Sequence, residues 1–180
     1  AMSFSYETKN ELCRLPVQKL CCARAEAYGI LLYCNTFSAT EVRVITENPN
    51  FAERLPKLFR RAFGLSFDRQ PDKEQTEGKR IFQITDPRKL NHIINVLGYD
   101  PQQNLVLHIN FAFMEEACDQ AAFLRGAFFA GGSITDPQKR YHLELTTSHL
   151  QVSREIESLL VECGYPPKSL SRNGSSITYF

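Results

Sequence analysis

Apolar positions run almost without a break through Ala121-Ala122-Phe123-Leu124-Arg125-Gly126-Ala127-Phe128-Phe129-Ala130-Gly131-Gly132-Ser133, interrupted at Arg125. A segment apolar on every side predicts a buried helix rather than a surface one. Its small residues fall at helical spacing, Ala122 with Gly126 and Gly126 with Ala130, so one face is nearly bare backbone. A second helix can approach such a face closely, and the tight packing that results offsets the roughly 1 kcal/mol that glycine costs a helix. Gly131-Gly132 ends the run, and the alternation Tyr141-His142-Leu143-Glu144-Leu145 predicts a strand, over 140–147.

The pattern earlier in the chain is similar. Residues 4–15 predict a short amphipathic helix with Ser5 as N-cap and Pro16 as its stop. A second helix is expected from Pro16 to Tyr33, where Ala25 and Gly29 repeat the small face at spacing four. The β-branched alternation from Ser38 to Glu47 predicts a strand, and Asn50–Phe63, closed by Gly64, an amphipathic helix. Leu65–Arg69 and Lys79–Thr85 read as two strands around a polar turn. Asp86-Pro87 opens a helix reaching Leu97, with Asp86 as cap. No periodicity assigns 105–113. After the 117–131 helix and its strand come a helix over Gln151–Cys163 and a hairpin, Lys168–Arg172 and Ser175–Phe180 about Asn173-Gly174.

The order helix, strands, helix, strand pair therefore occurs twice, with Gly29 and Gly126 97 residues apart. This predicts an α+β fold of two pseudo-symmetric αβ(β)αβ(β)α halves, 1–110 and 111–180, meeting at the helices around 22–33 and 121–131. The second copy stops in a strand, so a matching helix is expected beyond residue 180.

Charge and composition narrow the function. The chain is 43% hydrophobic with a formal net charge of +1, and neither repeat is a basic block: the net is +3 up to residue 110 and −2 after it. Strong non-specific nucleic-acid binding, which comes from neutralised phosphates, is not expected of such a chain. Nothing approaches the roughly 18 apolar residues of a membrane span. The opening residues carry no basic region followed by an apolar core, so a cytoplasmic protein without membrane contact is expected. The six cysteines (13, 21, 22, 34, 118, 163) contain no C-x-x-C, and buried reduced thiols with no bound metal are the expectation. Gly126-Ala127-Phe128-Phe129-Ala130-Gly131-Gly132-Ser133 has the glycine spacing of a phosphate-binding loop, but Gly132 stands where the lysine is needed. No cofactor is expected.

The double unit resembles the LAGLIDADG homing-endonuclease fold, in which the sheets of the two halves form a saddle over DNA. In register, Leu124-Arg125-Gly126-Ala127-Phe128-Phe129-Ala130-Gly131-Gly132 lies on the nine-residue motif. Ala27-Tyr28-Gly29-Ile30-Leu31-Leu32-Tyr33-Cys34-Asn35 matches it less closely. Residues 123–145, 21–32 and 3–12 look more specifically like the N-terminal domain of the WhiA family, bacterial regulators of sporulation and cell division. The resemblance covers essentially the whole chain. It implies a cytoplasmic, nucleoid-associated transcription regulator whose DNA reading is done mainly by a following helix-turn-helix domain, absent here, with other regulatory proteins as further partners.

In the nucleases of this fold, the eighth motif position of each helix carries a carboxylate that holds divalent metal. Those positions are Cys34 and Gly131, one a poor ligand for an oxygen-seeking ion and one with no side chain. The resemblance thus implies a domain that is not an enzyme. Glu26 and Asp119 lie a turn or more up the helices, and Asp136 is explained by its Asp-Pro turn. His142 and Glu144 share a strand face, and His92, His108 and His149 make no ligand cluster with them by spacing. If the saddle touches DNA, its candidates are Arg43, Arg69, Lys79, Arg80, Lys139, Arg140, Lys168 and Arg172. The same cations serve equally as solubility charges, so DNA contact and a purely protein-binding role both stand, with a residual metal-dependent DNA endonuclease as the remaining alternative. Arg60-Arg61 is expected on the outer surface of its helix. Arg125, inside an apolar helix, must find a carboxylate or helix-end carbonyls.

Overall fold

Two apolar helices with a glycine in the middle of each organise the molecule. The computed structural model describes residues 3–17, 19–100, 107–134 and 143–179. The elements in order are α1 (Phe4–Leu12), α2 (Leu20–Tyr33), β1 (Thr36–Phe37), β2 (Val42–Thr46), α3 (Pro49–Phe63), β3 (Arg80–Ile84) and α4 (Pro87–Val96). After a 3-10 turn at Phe111–Phe113 come α5 (Ala117–Gly131), β4 (Gly132–Ile134), β5 (Leu143–Thr147), α6 (Leu150–Glu162), β6 (Lys168–Arg172) and β7 (Ser175–Tyr179).

Helices α2 and α5 lie parallel against each other, and their glycines are the reason they can come so close. A Cβ on Gly29 would stand 2.1 Å from the Phe123 carbonyl oxygen, and one on Gly126 would stand 2.0 Å from that of Glu26. Ala25 and Ala122 are buried beside this seam, and Ala130, near its end, is half-buried. Tyr28, buried at the same level, packs edge-on against Phe123 with ring centroids 5.5 Å apart. Its hydroxyl bonds Tyr99 and the His108 carbonyl and accepts the Asn110 N–H, pinning the connection between the halves to the helix pair. Phe51 of α3 stacks on Phe129 of α5 at 5.1 Å, and Phe59, Phe63, Phe67 and Phe82 continue the core outward.

Each half carries one antiparallel sheet, and among the described residues no strand pairing joins the two. The first has the order β1-β2-β3 and the second β4-β5-β7-β6. Strand alternation sets the faces: Val42 and Val44 with Phe82 and Ile84 turn inward, as Leu145 and Thr147 do in the second sheet. The register aligns the outward residues into rows, Thr36 with Arg43 with Gln83, and Ser133 with Glu144 with Tyr179 with Lys168.

Several expected boundaries shift, each for a local reason. The N-cap of α1 is Ser3, whose Oγ accepts the Tyr6 N–H; Ser5 instead donates to the Ile134 carbonyl (2.8 Å) and accepts its N–H (2.7 Å), tying α1 to β4. Helix α2 begins at Leu20 rather than Pro16; Lys19 before it is extended, and Arg54 bonds the Cys13 and Leu15 carbonyls in the turn that follows α1. Leu65–Arg69 does not form a strand. Asp68 and Arg69 both donate their N–H groups to the one Gln83 carbonyl, an isolated bridge, while the Asp68 carboxylate accepts the Thr85 and Asp86 N–H groups and pairs with Lys89. The second half keeps a full strand, β6, at the corresponding place. The hairpin of β6 and β7 about Asn173-Gly174 forms as the alternation predicts, with both turn residues at positive φ.

Candidate nucleic-acid interface

The sheet faces turned away from the helices hold the cations that sequence singled out, but not all of them. Arg43, on the central strand of the first sheet, and Arg69 flank Gln83 on its two sides by register. Arg43 is half-buried and donates from Nη2 to Thr36 Oγ1 at 3.0 Å, while its buried Nε has no partner among the described residues. Arg69 is exposed and donates to Gln83 Oε1, and Lys79 is exposed beside β3. Lys168 and Arg172 stand exposed at the two ends of β6, four residues apart and therefore on one face.

Arg80 is different. It is adjacent to Lys79, and with a period of two the pair cannot both face out. It aligns with Phe82 and Ile84 on the inward side, 6% exposed, and its guanidinium donates to the Glu47 and Gly78 carbonyls. Lys139 and Arg140, with Asp136 and His142, lie outside the described residues. The face is not purely cationic: Glu144 sits in the same row as Lys168, and Glu41 accepts from Gln83. Arg60 and Arg61 are exposed in the last turn of α3.

At the C-terminal tips of the helix pair, the two positions aligned with nuclease acids offer no carboxylate. Cys34 caps α2 and turns its thiol back onto the Leu31 and Thr36 carbonyls at 3.3 and 3.2 Å. Burial pushes that thiol up to about 12, so it stays protonated and neutral. A Cβ at Gly131 would stand 2.5 Å from the Thr146 carbonyl oxygen and 3.0 Å from Tyr33, so packing as well as sequence denies this position a side chain. Thr147 of β5 also bonds the Leu32 carbonyl here, closing the helix end against the strand.

Arg125 has its carboxylate. Its Nε bonds Glu26 Oε1, and Glu26 also takes a two-pronged ion pair from Arg54, Nε to Oε2 at 2.8 Å and Nη2 to Oε1 at 2.9 Å. Glu26 is 1% and Arg54 7% exposed, so one buried carboxylate is shared by two arginines across α2, α3 and α5. Sequence reasoning missed Arg54, which looks like an ordinary surface cation of an amphipathic helix. The signal was position: it lies three residues after Phe51 and one before Leu55, on the buried side. It also missed that the fold gathers Cys21, Cys22, Cys118 and Asp119, and of the six cysteines expected to be buried Cys21 is exposed and the other five are half-buried.

Comparison with known proteins agrees with this geometry. Residues 120–180 match the model of the WhiA LAGLIDADG-like domain. A probable cell division protein WhiA of Ruminiclostridium cellulolyticum is 33% identical over 187 aligned residues, which take in 99% of this chain. The chain spans 59% of that relative's length. Among solved structures, the N-terminal LAGLIDADG domain of DUF199/WhiA matches all of the chain and 86% of its own, with a TM-score of 0.73 at 16% identity. The homing endonuclease I-DmoI, solved in complex with DNA and Mn, matches 89% of this chain and 90% of its own with a TM-score of 0.61 at 11% identity. Both likenesses establish the fold.

Proposed function

We propose that this chain, a LAGLIDADG-like domain of the WhiA type, is the non-catalytic part of a bacterial DNA-binding regulator of cell division and sporulation. One observation carries the reading: the helix pair and sheets of a DNA-cleaving fold are kept, while Cys34 and Gly131 leave no carboxylate at either tip. A metal-assisted hydrolysis needs such anchors to hold its ion and activate water. What remains of the ancestral surface is a sheet face with Arg43, Arg69, Lys79, Lys168 and Arg172. Cations of this kind position a duplex through its phosphates and carry little sequence information. Sequence reading then belongs to a helix-turn-helix domain elsewhere in the full-length protein, and the site of action is the nucleoid in the cytoplasm.

The test is gel-shift binding of a duplex at two salt concentrations. If these five cations each neutralise a phosphate, log K falls against log[salt] with a slope of about −0.9 per contact, and replacing them with Gln flattens it. A second reading, a protein-binding module without DNA contact, is favoured by Glu41 and Glu144 within the same faces. It predicts no salt-sensitive shift and no effect of the Gln replacements. Plasmid incubated with Mg²⁺ or Mn²⁺ stays intact on the proposed reading; cleavage abolished by chelator overturns it.

A further inference from the structure

At the N-terminal tips of the central helices, about 20 Å along the axis from Cys34 and Gly131, the fold assembles a second donor set. Cys21 and Cys22 are the second and third residues of α2, and Cys118 and Asp119 hold the same two places in α5. The two pairs are 97 residues apart, the offset that separates Gly29 from Gly126. The cluster thus straddles the pseudo-two-fold axis, each repeat giving the same two positions. Three thiols and a carboxylate so placed have one ligand atom each within 4.8 Å of all the others. Cys22 Sγ is 3.6 Å and Cys118 Sγ 4.0 Å from the same Asp119 oxygen.

These separations suit a tetrahedral ion. With metal–sulfur bonds of about 2.3 Å, the sulfurs of a tetrahedron stand about 3.8 Å apart, and a sulfur and an oxygen slightly closer. The donor chemistry selects the ion: three thiolates favour a borderline-soft divalent metal and disfavour the Mg²⁺ or Ca²⁺ of oxygen-lined sites. All four residues lie in the first turns of α2 and α5, where the helix dipole favours anionic ligands. Asp119 is 5% exposed and held by its helix, whereas Cys21 opens to solvent and gives an entry path.

We infer that Cys21, Cys22, Cys118 and Asp119 form a zinc site that clips the two repeats together at the end of the helix pair opposite the lost nuclease centre. On binding, each coordinating thiol gives its proton to solvent, and no redox change is involved. The site does not depend on the reading of the sheet face as a DNA surface.

Cobalt(II) is the probe. Titrated into the reduced chain, Co²⁺ is expected to bind one ion per chain, with sulfur-to-metal charge-transfer absorption and the intense visible bands of a tetrahedral site, both bleached by Zn²⁺. Cys118→Ser is expected to weaken Co²⁺ binding by at least about a hundredfold, the upper end of the loss seen on removing a mere supporting partner. Cys13→Ser and Cys163→Ser, outside the cluster, leave it unchanged. If Cys118→Ser does not fold by circular dichroism, Cys21→Ser serves, since that side chain is exposed. Zn²⁺ also raises the thermal midpoint of the wild type and not of the cluster variants. Co²⁺ spectra lacking thiolate absorption, undiminished affinity in Cys21→Ser, or a disulfide from Cys118 to Cys21 or Cys22 that persists under reductant would each overturn the inference.

Discussion

Replacing Gly126 by Ala tests the packing on which the fold depends. The added Cβ would lie 2.0 Å from the Glu26 carbonyl oxygen, 2.9 Å from its carbon and 3.1 Å from the Ile30 nitrogen. All three are backbone atoms of the facing helix, so no side chain can swing away. Relief to an ordinary contact of about 3.2 Å needs a local separation of about 1.2 Å between α2 and α5, a shift that an interior packed like a crystal resists. Overpacking a core costs typically 1–3 kcal/mol, and backbone against backbone belongs at or above the upper end. The better helix propensity of Ala returns up to about 1 kcal/mol. The expected net loss is about 2–3 kcal/mol, or about 4–12 °C in Tm for a chain of this size. Urea unfolding read by circular dichroism measures it. Gly29→Ala should cost about as much, since its Cβ meets the Phe123 carbonyl oxygen at 2.1 Å. Because one separation relieves both clashes, the double variant should lose less than the sum of the singles, by about 0.5 kcal/mol or more. Gly64→Ala is the control: its φ is 68° with open space around it, so its cost is backbone strain alone and adds independently. A Gly126→Ala protein as stable as the wild type would refute the close approach.

Three further outcomes follow from the same contacts. Glu26→Gln leaves Arg54 and Arg125 without their anion and should cost about 3–5 kcal/mol, with Arg54→Met costing more than Arg125→Met because Arg54 is the more buried and also ties the α1–α2 link; equal losses in urea unfolding would contradict this. Asp68 is held below the usual carboxylate range: burial pushes it up, but the bonds from Lys89, Asp86 and Thr85 outweigh that. Its stabilisation is therefore present above the unfolded value of about 3.9 and lost as pH falls through the lower folded value. Asp68→Ala should cost up to about 1 kcal/mol at pH 7, because the carboxylate is exposed and its bonds are screened by water, with the gap to wild type closing in acid; a gap independent of pH would count against it. Finally, Cys34→Asp with Gly131→Asp should lower the thermal midpoint and give no Mg²⁺-dependent nicking of plasmid, because a side chain at 131 collides with Thr146 and Tyr33.

Much of the architecture was legible because it is written in periodicity. The apolar helix at 117–131, the caps at Asp86 and Gly64 and the Asn173-Gly174 hairpin all rest on neighbours within a few positions. What was not legible depends on residues far apart in the chain. Ser5 is an adequate N-cap by local rules, but it serves Ile134 instead. Leu65–Arg69 has strand composition, yet Asp68 and Arg69 direct both N–H groups to the one Gln83 carbonyl, and the Asp68 carboxylate is held by Lys89 and the α4 N-terminus, so no ladder continues. Arg80 reads as one more surface cation, although its neighbour Lys79 already occupies the outward position. The cysteines illustrate the limit most sharply: local spacing excluded a zinc module, while the repeat offset, read one residue at a time, pairs Cys21 with Cys118 and Cys22 with Asp119.

The repeat also explains where the two halves could diverge. In the middle of the helix pair both copies keep glycine, because a Cβ there meets facing backbone at about 2 Å and nothing can yield. Away from that point the constraint relaxes. On the sheet faces Arg43 in one half corresponds to Glu144 in the other, each in line with a short hydroxyl residue, Thr36 and Ser133. The outward side chains meet solvent, so a change of sign costs little folding energy and alters what the face attracts. At the C-terminal tips Cys34 and Gly131 differ as well, one turned onto carbonyls and one closed by Thr146 and Tyr33. A scaffold fixed at its centre can vary on its outward sheet faces without refolding. Gly29 and Gly126 let the two helices meet backbone to backbone, and that contact holds the halves together.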